Sequence, residues 1–373
     1  MYEAKNIAFH DITVHEGKGW FYNIGYNAIF QIDLETGELK PEAFLPENEL
    51  EPRELFAGIV YFDDKLYLAP LKSKRLCIYD LRKKEFSFID LDNERYGPKG
   101  KWLFFRGAAI DNNIYFFPRR FHAIVKLNPA DNSLKYIDCW YRELTTKRGE
   151  DREQFATFFN VSVENDGWCV LACQKSNMIL RLNVLSEEFS IIESGFDGEL
   201  FDAVGAAGKY IGAFADNPSL YKISDHSTRK IPLEPGNDRD KNIFLDGSNI
   251  CTISKFGNQI CIYDLNTHEK KMLYEFSDVA KDSQKWLSYV KPTTLCNVKI
   301  DEHRIVSYST RSGEILIIDM EKCSVTSMVP VMDDETEKAI DKYLLKLFGE
   351  SALLLEQPHY GLKDFLGTLD RIL

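Results

Sequence analysis

A string, CIYDL, that occurs at 77–81 and again at 261–265, a polar residue that returns about every 48 positions, and a paired-strand pattern upstream of it together predict an all-β fold class. The architecture they indicate is a seven-bladed β-propeller of four-stranded antiparallel blades, followed by a short C-terminal helical extension.

The repeat shows best on its third strand. Aligning on CIYDL gives FQIDLETGEL (30–39), LCIYDLRKKEF (76–86), IVKLNPADNSL (124–134), ILRLNVLSEEF (179–189), LYKISDHSTRK (220–230), ICIYDLNTHEK (260–270) and LIIDMEKCSV (316–325). Each is a short apolar alternation, a polar residue, a turn-like cluster and a second short strand. The marker falls on Asp33, Asp80, Asn128, Asn183, Ser224, Asp264 and Asp319. Asp, Asn and Ser side chains accept backbone N–H groups just downstream and so close tight turns.

Two more strands precede each marker. FAGIVYFDD then KLYLAPL, RGAAIDNN then IYFFPRR, and NIFLDGSN then ICTISKF each read as strand, Asp/Asn/Gly turn, strand. A unit is therefore four strands, named A to D. Solenoid coils are shorter than this period, and two sandwiches would not produce seven similar units. The longer steps between markers leave six or eight blades open. The propeller is assigned to residues 1–332 and the extension to 333–373.

Apolar residues make up 44% of the 373-residue chain, enough for a large core. The net charge of −12 disfavours non-specific contact with nucleic acid or anionic membrane. The N-terminal stretch has no apolar core of a secretory signal, and no run reaches the ~20 apolar residues of a membrane helix. The eight cysteines form no CxxC, and Cys169 and Cys173 lack a second pair at zinc-like spacing. The expected setting is cytoplasmic, with reduced cysteines in the core, no metal site and no cofactor.

Strands ending in Y-D or I-D before a T-G-like turn resemble the divergent kelch-like and quinoprotein-like propellers, over roughly residues 5–330. The double glycine of kelch repeats is replaced by Ala69-Pro70, Phe117-Pro118 and Ala172-Cys173. IDLETGEL resembles the D-x-x-T-G of quinone-binding propellers, and the other copies lack it. The resemblance implies a fold that hosts binding, lyase, hydrolase and scaffold roles alike.

Site candidates come from the loops that gather on one face, the B–C and D–A connections. The B–C loops fall at 25–27, 71–75, 119–122, 174–177, 216–218, 255–258 and 310–313. They carry Lys72, Lys74, Arg75, Arg119, Arg120, Lys175, Lys255 and Arg311, against one acid, Asp216. Such a rim would hold a carboxylate, a phosphate or an acidic protein segment. Tyr26, Phe121, His122 and Phe256 add flat surfaces. The alternative is that these are solvated hairpin tips without a ligand. Long D–A loops at 96–107, 140–159 and 277–295 offer Trp102, Arg106, Trp140, Arg142, Trp286 and Tyr289 as a roof, or as packing between blades.

Catalytic patterns are weak. The seven histidines show no metal-ligand spacing, and no G-x-S-x-G elbow or P-loop is present. The acids of DLDNE (90–94) lack the glycine and closing glutamate of a calcium loop. The tail places Ile340, Tyr343, Leu344, Leu347 and Phe348 on one helical stripe. A second stripe is Leu362, Phe365, Leu366, Leu369 and Ile372. The leading reading is a binding propeller for an anionic ligand or acidic protein segment. A lyase or hydrolase acting on an anionic sugar or peptide, and a scaffold that docks a protein partner through its helices, are the alternatives.

Overall fold

The computed structural model describes residues 2–348 except 4–6, 8, 25, 47–54, 99–101, 149–157, 159–160, 165, 174–175, 194–201, 207–209, 215–218, 225, 227, 231–240, 255–258, 277–293 and 310–311. Strand β1 (Tyr2–Glu3) comes first, followed by four-stranded antiparallel sheets in which each strand pairs with the next in the chain. Sheet one is β2 (Thr13–His15), β3 (Lys18–Asn23), β4 (Ala28–Asp33) and β5 (Leu39–Phe44). Sheet two is β6 (Phe56–Phe62), β7 (Lys65–Pro70), β8 (Arg75–Asp80) and β9 (Glu85–Asp90), with helix α1 (Asn93–Tyr96) after it. Sheet three is β10 (Phe104–Ile110), β11 (Asn113–Pro118), β12 (Ile124–Leu127) and β13 (Leu134–Ile137), then α2 (Tyr141–Arg148). Sheet four is β14 (Ser162–Val163), β15 (Trp168–Ala172), β16 (Met178–Asn183) and β17 (Phe189–Glu193). Sheet five is β18 (Asp202–Ala206), β19 (Tyr210–Phe214), β20 (Ser219–Lys222) and β21 (Thr228–Lys230). Sheet six is β22 (Lys241–Asp246), β23 (Asn249–Ser254), β24 (Gln259–Asp264) and β25 (Lys270–Glu275). Sheet seven is β26 (Thr294–Lys299), β27 (Arg304–Ser309), β28 (Ile315–Asp319) and β29 (Ser324–Met328). Strand β30 (Val331–Met332) pairs with β1, and α3 (Asp334–Phe348) follows.

The marker residues build the C–D turns. Asp33 Oδ1 accepts the N–H groups of Glu35 and Thr36, both at 2.9 Å, and Gly37 donates to the Asp33 carbonyl. Asp80, Asn183 and Asp264 repeat this with the two or three residues that follow each. The turn needs a left-handed residue four positions on. Gly37, Lys84, Asn132, Glu187, His268 and Cys323 all stand there with φ between 48° and 77°. The next residue ties this turn to the A–B turn of its own sheet: Leu34 donates to Gly17, Leu81 to Asp64, Leu265 to Ser248 and Met320 to His303. One face therefore carries A–B and C–D turns, and the other carries B–C and D–A loops.

Sheet five breaks the repeat. Lys222 stands opposite Tyr210 as Asp264 stands opposite Asn249, and His226 takes the left-handed position with φ 57°. The structural marker is therefore Lys222, two residues before the expected Ser224. An ammonium cannot accept an N–H, so this turn lacks the carboxylate clasp. It keeps instead a Tyr221–His226 contact at 2.5 Å, matching Tyr263–His268 at 2.9 Å in sheet six. The expectation of a seven-bladed propeller is corrected here: six blades carry the predicted unit with its side-chain clasp, and the four-stranded sheet at β18–β21 lacks it.

Apolar clusters fill the spaces between neighbouring sheets, because each twisted sheet must cover both faces. Leu66, Leu68 and Cys77 pack with Trp20 and Tyr22 between sheets one and two. Trp140, Leu144 and Phe158 join sheets three and four. Salt links lace the outer rim in the same sense: Glu42 of β5 with Lys84, and Lys135 of β13 with Glu187. The ring closes where Phe9 stacks between Phe21 at 4.2 Å and Tyr308 at 4.9 Å. The Tyr308 hydroxyl donates to the Ile7 carbonyl at 2.7 Å. Helix α3 starts at Asp333, whose Oδ1 accepts the Thr336 N–H at 2.7 Å, a capping contact. Its Ile340 is buried in the seam cluster and Tyr343 stacks on Phe44 at 4.1 Å. The expected stripe at Leu362–Ile372 lies outside the described residues, as do the side chains of Leu344, Leu347 and Phe348.

Replacing Asp80 or Asp264 with Ala is expected to lower the urea midpoint, with Asn recovering most of the loss. The backbone donors hold the Asp33, Asp80 and Asp264 carboxyls below their ordinary 3.8. Their contribution to stability is thus present above that pH and lost as pH falls through the lower folded value. Urea titrations at pH 7 and pH 3 check both statements, and Asp80→Asn should show the smaller acid loss.

Candidate functional site

The B–C loops of sheets two and three are built by a shared backbone device. Strands β7 and β11 both end in proline, which has no N–H to continue the ladder. The chain then wraps around the carbonyl that precedes the innermost strand. Leu55 accepts from Leu71, Lys72 and Ser73 at 2.8–3.2 Å, and Leu103 accepts from Arg119, Arg120 and Phe121 at 2.8–3.3 Å. Between these two clasps, the Leu71 carbonyl accepts from Trp102 at 2.7 Å and Leu103 at 2.9 Å. The Arg119 carbonyl accepts from Phe158 at 3.0 Å. One continuous hydrogen-bonded rim thus runs from sheet two through sheet three to Phe158. The N–H groups of Leu71 to Ser73 and of Arg119 to His122 are occupied, which leaves ligand contact mainly to side chains.

Those side chains are basic. Lys74 is exposed, and its carbonyl is fixed by Asn93 Nδ2 at 2.9 Å. The Arg75 guanidinium lies 4.6 Å from the Phe88 ring centroid, and Arg119 lies 3.8 Å from that of Trp102. Stacking holds a guanidinium plane while its edge remains a bidentate donor. Arg120 is exposed beside it and Lys72 is half-buried. His122 stacks on Tyr141 at 4.4 Å, and burial pushes its imidazole below the usual histidine range. It is neutral at pH 7 and adds no charge to the rim.

Other candidates lie elsewhere. Phe121 is fully buried among Tyr96, Phe104 and Tyr136, and Tyr26 packs at the edge of the seam cluster. Trp140 is fully buried and donates from Nε1 to the Ile137 carbonyl at 3.0 Å, so it packs between sheets and roofs nothing. Arg142 is exposed on α2. Lys175, Asp216, Lys255, Phe256, Trp286, Tyr289 and Arg311 lie outside the described residues.

Arg106 turns inward from β10 and leaves the rim. Its Nη2 donates to the Asn297 carbonyl at 2.6 Å, and its Nε lies 3.9 Å from Asp11 Oδ1. Asp11 is 2% exposed and accepts from Ile12 at 3.1 Å and from Ile59 of β6 at 3.2 Å. Burial drives its carboxyl up to about 7, against the lowering pull of Arg106 and these two donors. Asn297 continues the cluster, accepting from Ser307 Oγ at 2.6 Å and donating to Thr294 Oγ1 at 3.0 Å. Sequence reasoning missed Asp11, Asn297 and Ser307. The available signal was an acid set between apolar residues in AFHDITV, where neither a turn nor a strand face explains it.

The face opposite the rim carries both signs, with Arg82, Lys83 and Lys84 exposed in the C–D turn of sheet two. The A–B turns carry Glu16, Asp63, Asp111, Asp166, Asp246 and Asp301, opposite the basic rim. Among the described residues, no three His, Cys, Asp or Glu side chains could hold a metal ion, and no helix is long and apolar enough to cross a membrane.

Comparison with known proteins adds the architecture and little else. No family model and no curated protein matches the chain. Among solved structures, virginiamycin B lyase from Staphylococcus aureus superposes with a TM-score of 0.59 at 12% identity, over 82% of this chain and 93% of that one. YCF48 from Cyanidioschyzon merolae gives 0.59 at 13% identity with the same coverage. A YCF48 described as bound to D1 peptide gives 0.55 at 9% identity, over 82% of this chain and 92% of that one. The chain is a divergent β-propeller repeat protein. At these identities the propeller's likeness to the lyase or to YCF48 fixes its fold and assigns no activity.

Trp140→Ala is expected to cost about 3–5 kcal/mol of stability, the range for emptying an aromatic core site. Trp140→Phe should recover much of that. Urea unfolding followed by far-UV circular dichroism measures both, and a loss within about 0.5 kcal/mol would contradict the packing role.

Proposed function

We propose that this propeller is a binding protein whose basic rim takes up an acidic protein segment. In this reading the propeller takes residues 1–332 and the extension 333–373, whose helix α3 meets sheet one through Tyr343 on Phe44. The observation that carries the reading is the hydrogen-bonded rim from Leu55 to Phe158, which sets Lys72 and Arg119 on one continuous edge, with Arg119 stacked on Trp102. Lys74, Arg75 and Arg120 extend the positive surface, and His122 and Tyr141 supply a flat uncharged neighbour.

Electrostatics favour the same direction of approach. A chain of net charge −12 repels acidic ligands in general, and its A–B face carries acids. The described B–C loops of sheets two and three bring Lys72, Lys74, Arg75, Arg119 and Arg120 together, so an acidic segment is oriented as it arrives. The likeness to a YCF48 structure with a bound peptide supports peptide recognition as a use of this architecture. Smaller anions, such as a phosphate, a carboxylate or an anionic glycan, share the chemistry of the rim with fewer contacts to fix them.

The test uses a fluorescein-labelled glutamate-rich decapeptide and anisotropy at low salt. Arg119→Ala combined with Arg120→Ala should weaken binding at least about tenfold, and the wild-type affinity should fall steeply with added salt. No binding by the wild type, or equal binding by the double variant, would overturn the reading.

A further inference from the structure

We propose that Asp11 and Arg106 form a proton-operated latch at the centre of the ring, which keeps the segment 7–12 seated in the seam while Asp11 is uncharged and loosens it when Asp11 ionises. The placement rests on register. Asp11, Gly58, Arg106 and Cys296 each lie four residues before the residue that opens their A–B turn: His15, Phe62, Ile110 and Ile300. They therefore share one level of the innermost strands, in sheets one, two, three and seven. Gly58 has no side chain at this level, and a Cβ there would come within 2.9 Å of the Arg106 Cα. That gap lets Arg106 reach past sheet two to Asp11 and on to the Asn297 carbonyl of sheet seven.

The cluster thus joins both sides of the seam. Arg106 and Asn297 sit within paired strands, whereas Ile7 and residues 9–12 belong to no ladder and hold their place through Phe9, Ile12 and the Ile7–Tyr308 contact. When the carboxylate forms, relief from burial comes most easily by moving that segment toward water. The groups facing Asp11 among the described residues are Arg106 from β10, Cys296 from β26 and the backbone N–H groups of Ile12 and Ile59. Cys296 is a buried thiol whose pKa burial raises well above its ordinary value, so it stays uncharged. The folded Asp11 carboxyl is raised from 3.8 to about 7, so its contribution to stability is complete below 3.8 and lost as pH rises through about 7.

The experiment measures Tm from pH 5.5 to 8.5, together with hydrogen exchange of peptides covering 7–15, corrected for intrinsic rates and referenced to 304–319. The wild type should lose roughly 3 °C or more relative to Asp11→Asn across this range, and its 7–15 protection should fall while the variant's holds. Arg106→Met removes the pull that lowers Asp11 and should move the inflection to higher pH, with Asp11 intact. His10→Gln should leave the wild-type profile unchanged. Parallel profiles for wild type and Asp11→Asn, or loss of the inflection in His10→Gln, would overturn the latch. If Asp11→Asn does not fold, the Arg106→Met inflection decides: an upward shift supports the latch and no shift overturns it.

Discussion

Closure of the ring is the constraint on which the rest of the structure depends. Each four-stranded sheet has two faces to cover, and a row of sheets leaves two faces bare until its ends meet. Here the ends meet through Phe9, which lies between Phe21 and Tyr308, with Ile7, Ile12, Met332 and Ile340 around it. The β1–β30 pairing and the Glu38–Val331 bridge clamp the outside of the same joint. The seam is made by short segments and side chains, where a fourth strand shared between chain ends would supply backbone bonds. That choice puts an ionisable residue, Asp11, within the closure itself.

The two faces of the disc follow from strand order. A–B and C–D turns must emerge together, and both require residues that accept N–H groups or adopt left-handed backbone, which brings Asp, Asn and Glu to that face. In sheets two and three the B–C loops are organised largely by the main-chain carbonyls at Leu55 and Leu103. Their side chains are released from turn-making, and Lys and Arg occupy them. The polarity of the molecule is therefore partly a by-product of turn chemistry and partly the rim's own composition.

The rim and the centre divide what the sequence offers as one group of cations. Arg119 and Arg75 are held flat by Trp102 and Phe88, which suits recognition of planar carboxylates. Arg106, only three residues after Leu103 in the chain, faces the interior and serves the ring.

The sequence by itself determined the strand grammar. The B–C and C–D boundaries fell where the polar markers and Pro-terminated strands put them, because turn chemistry is local and acts over four or five residues. It also determined the basic bias of the 71–75 and 119–122 loops. It misplaced the marker of sheet five at Ser224, since spacing alone cannot separate Lys222 from a polar neighbour two residues away. Only the tertiary structure decided that Trp140 is core, that Arg106 points inward and that Asp11 is buried at the seam. Those outcomes depend on which strands become neighbours in space, and contacts between residues as distant as Arg106 and Asn297 leave no periodic trace in the chain.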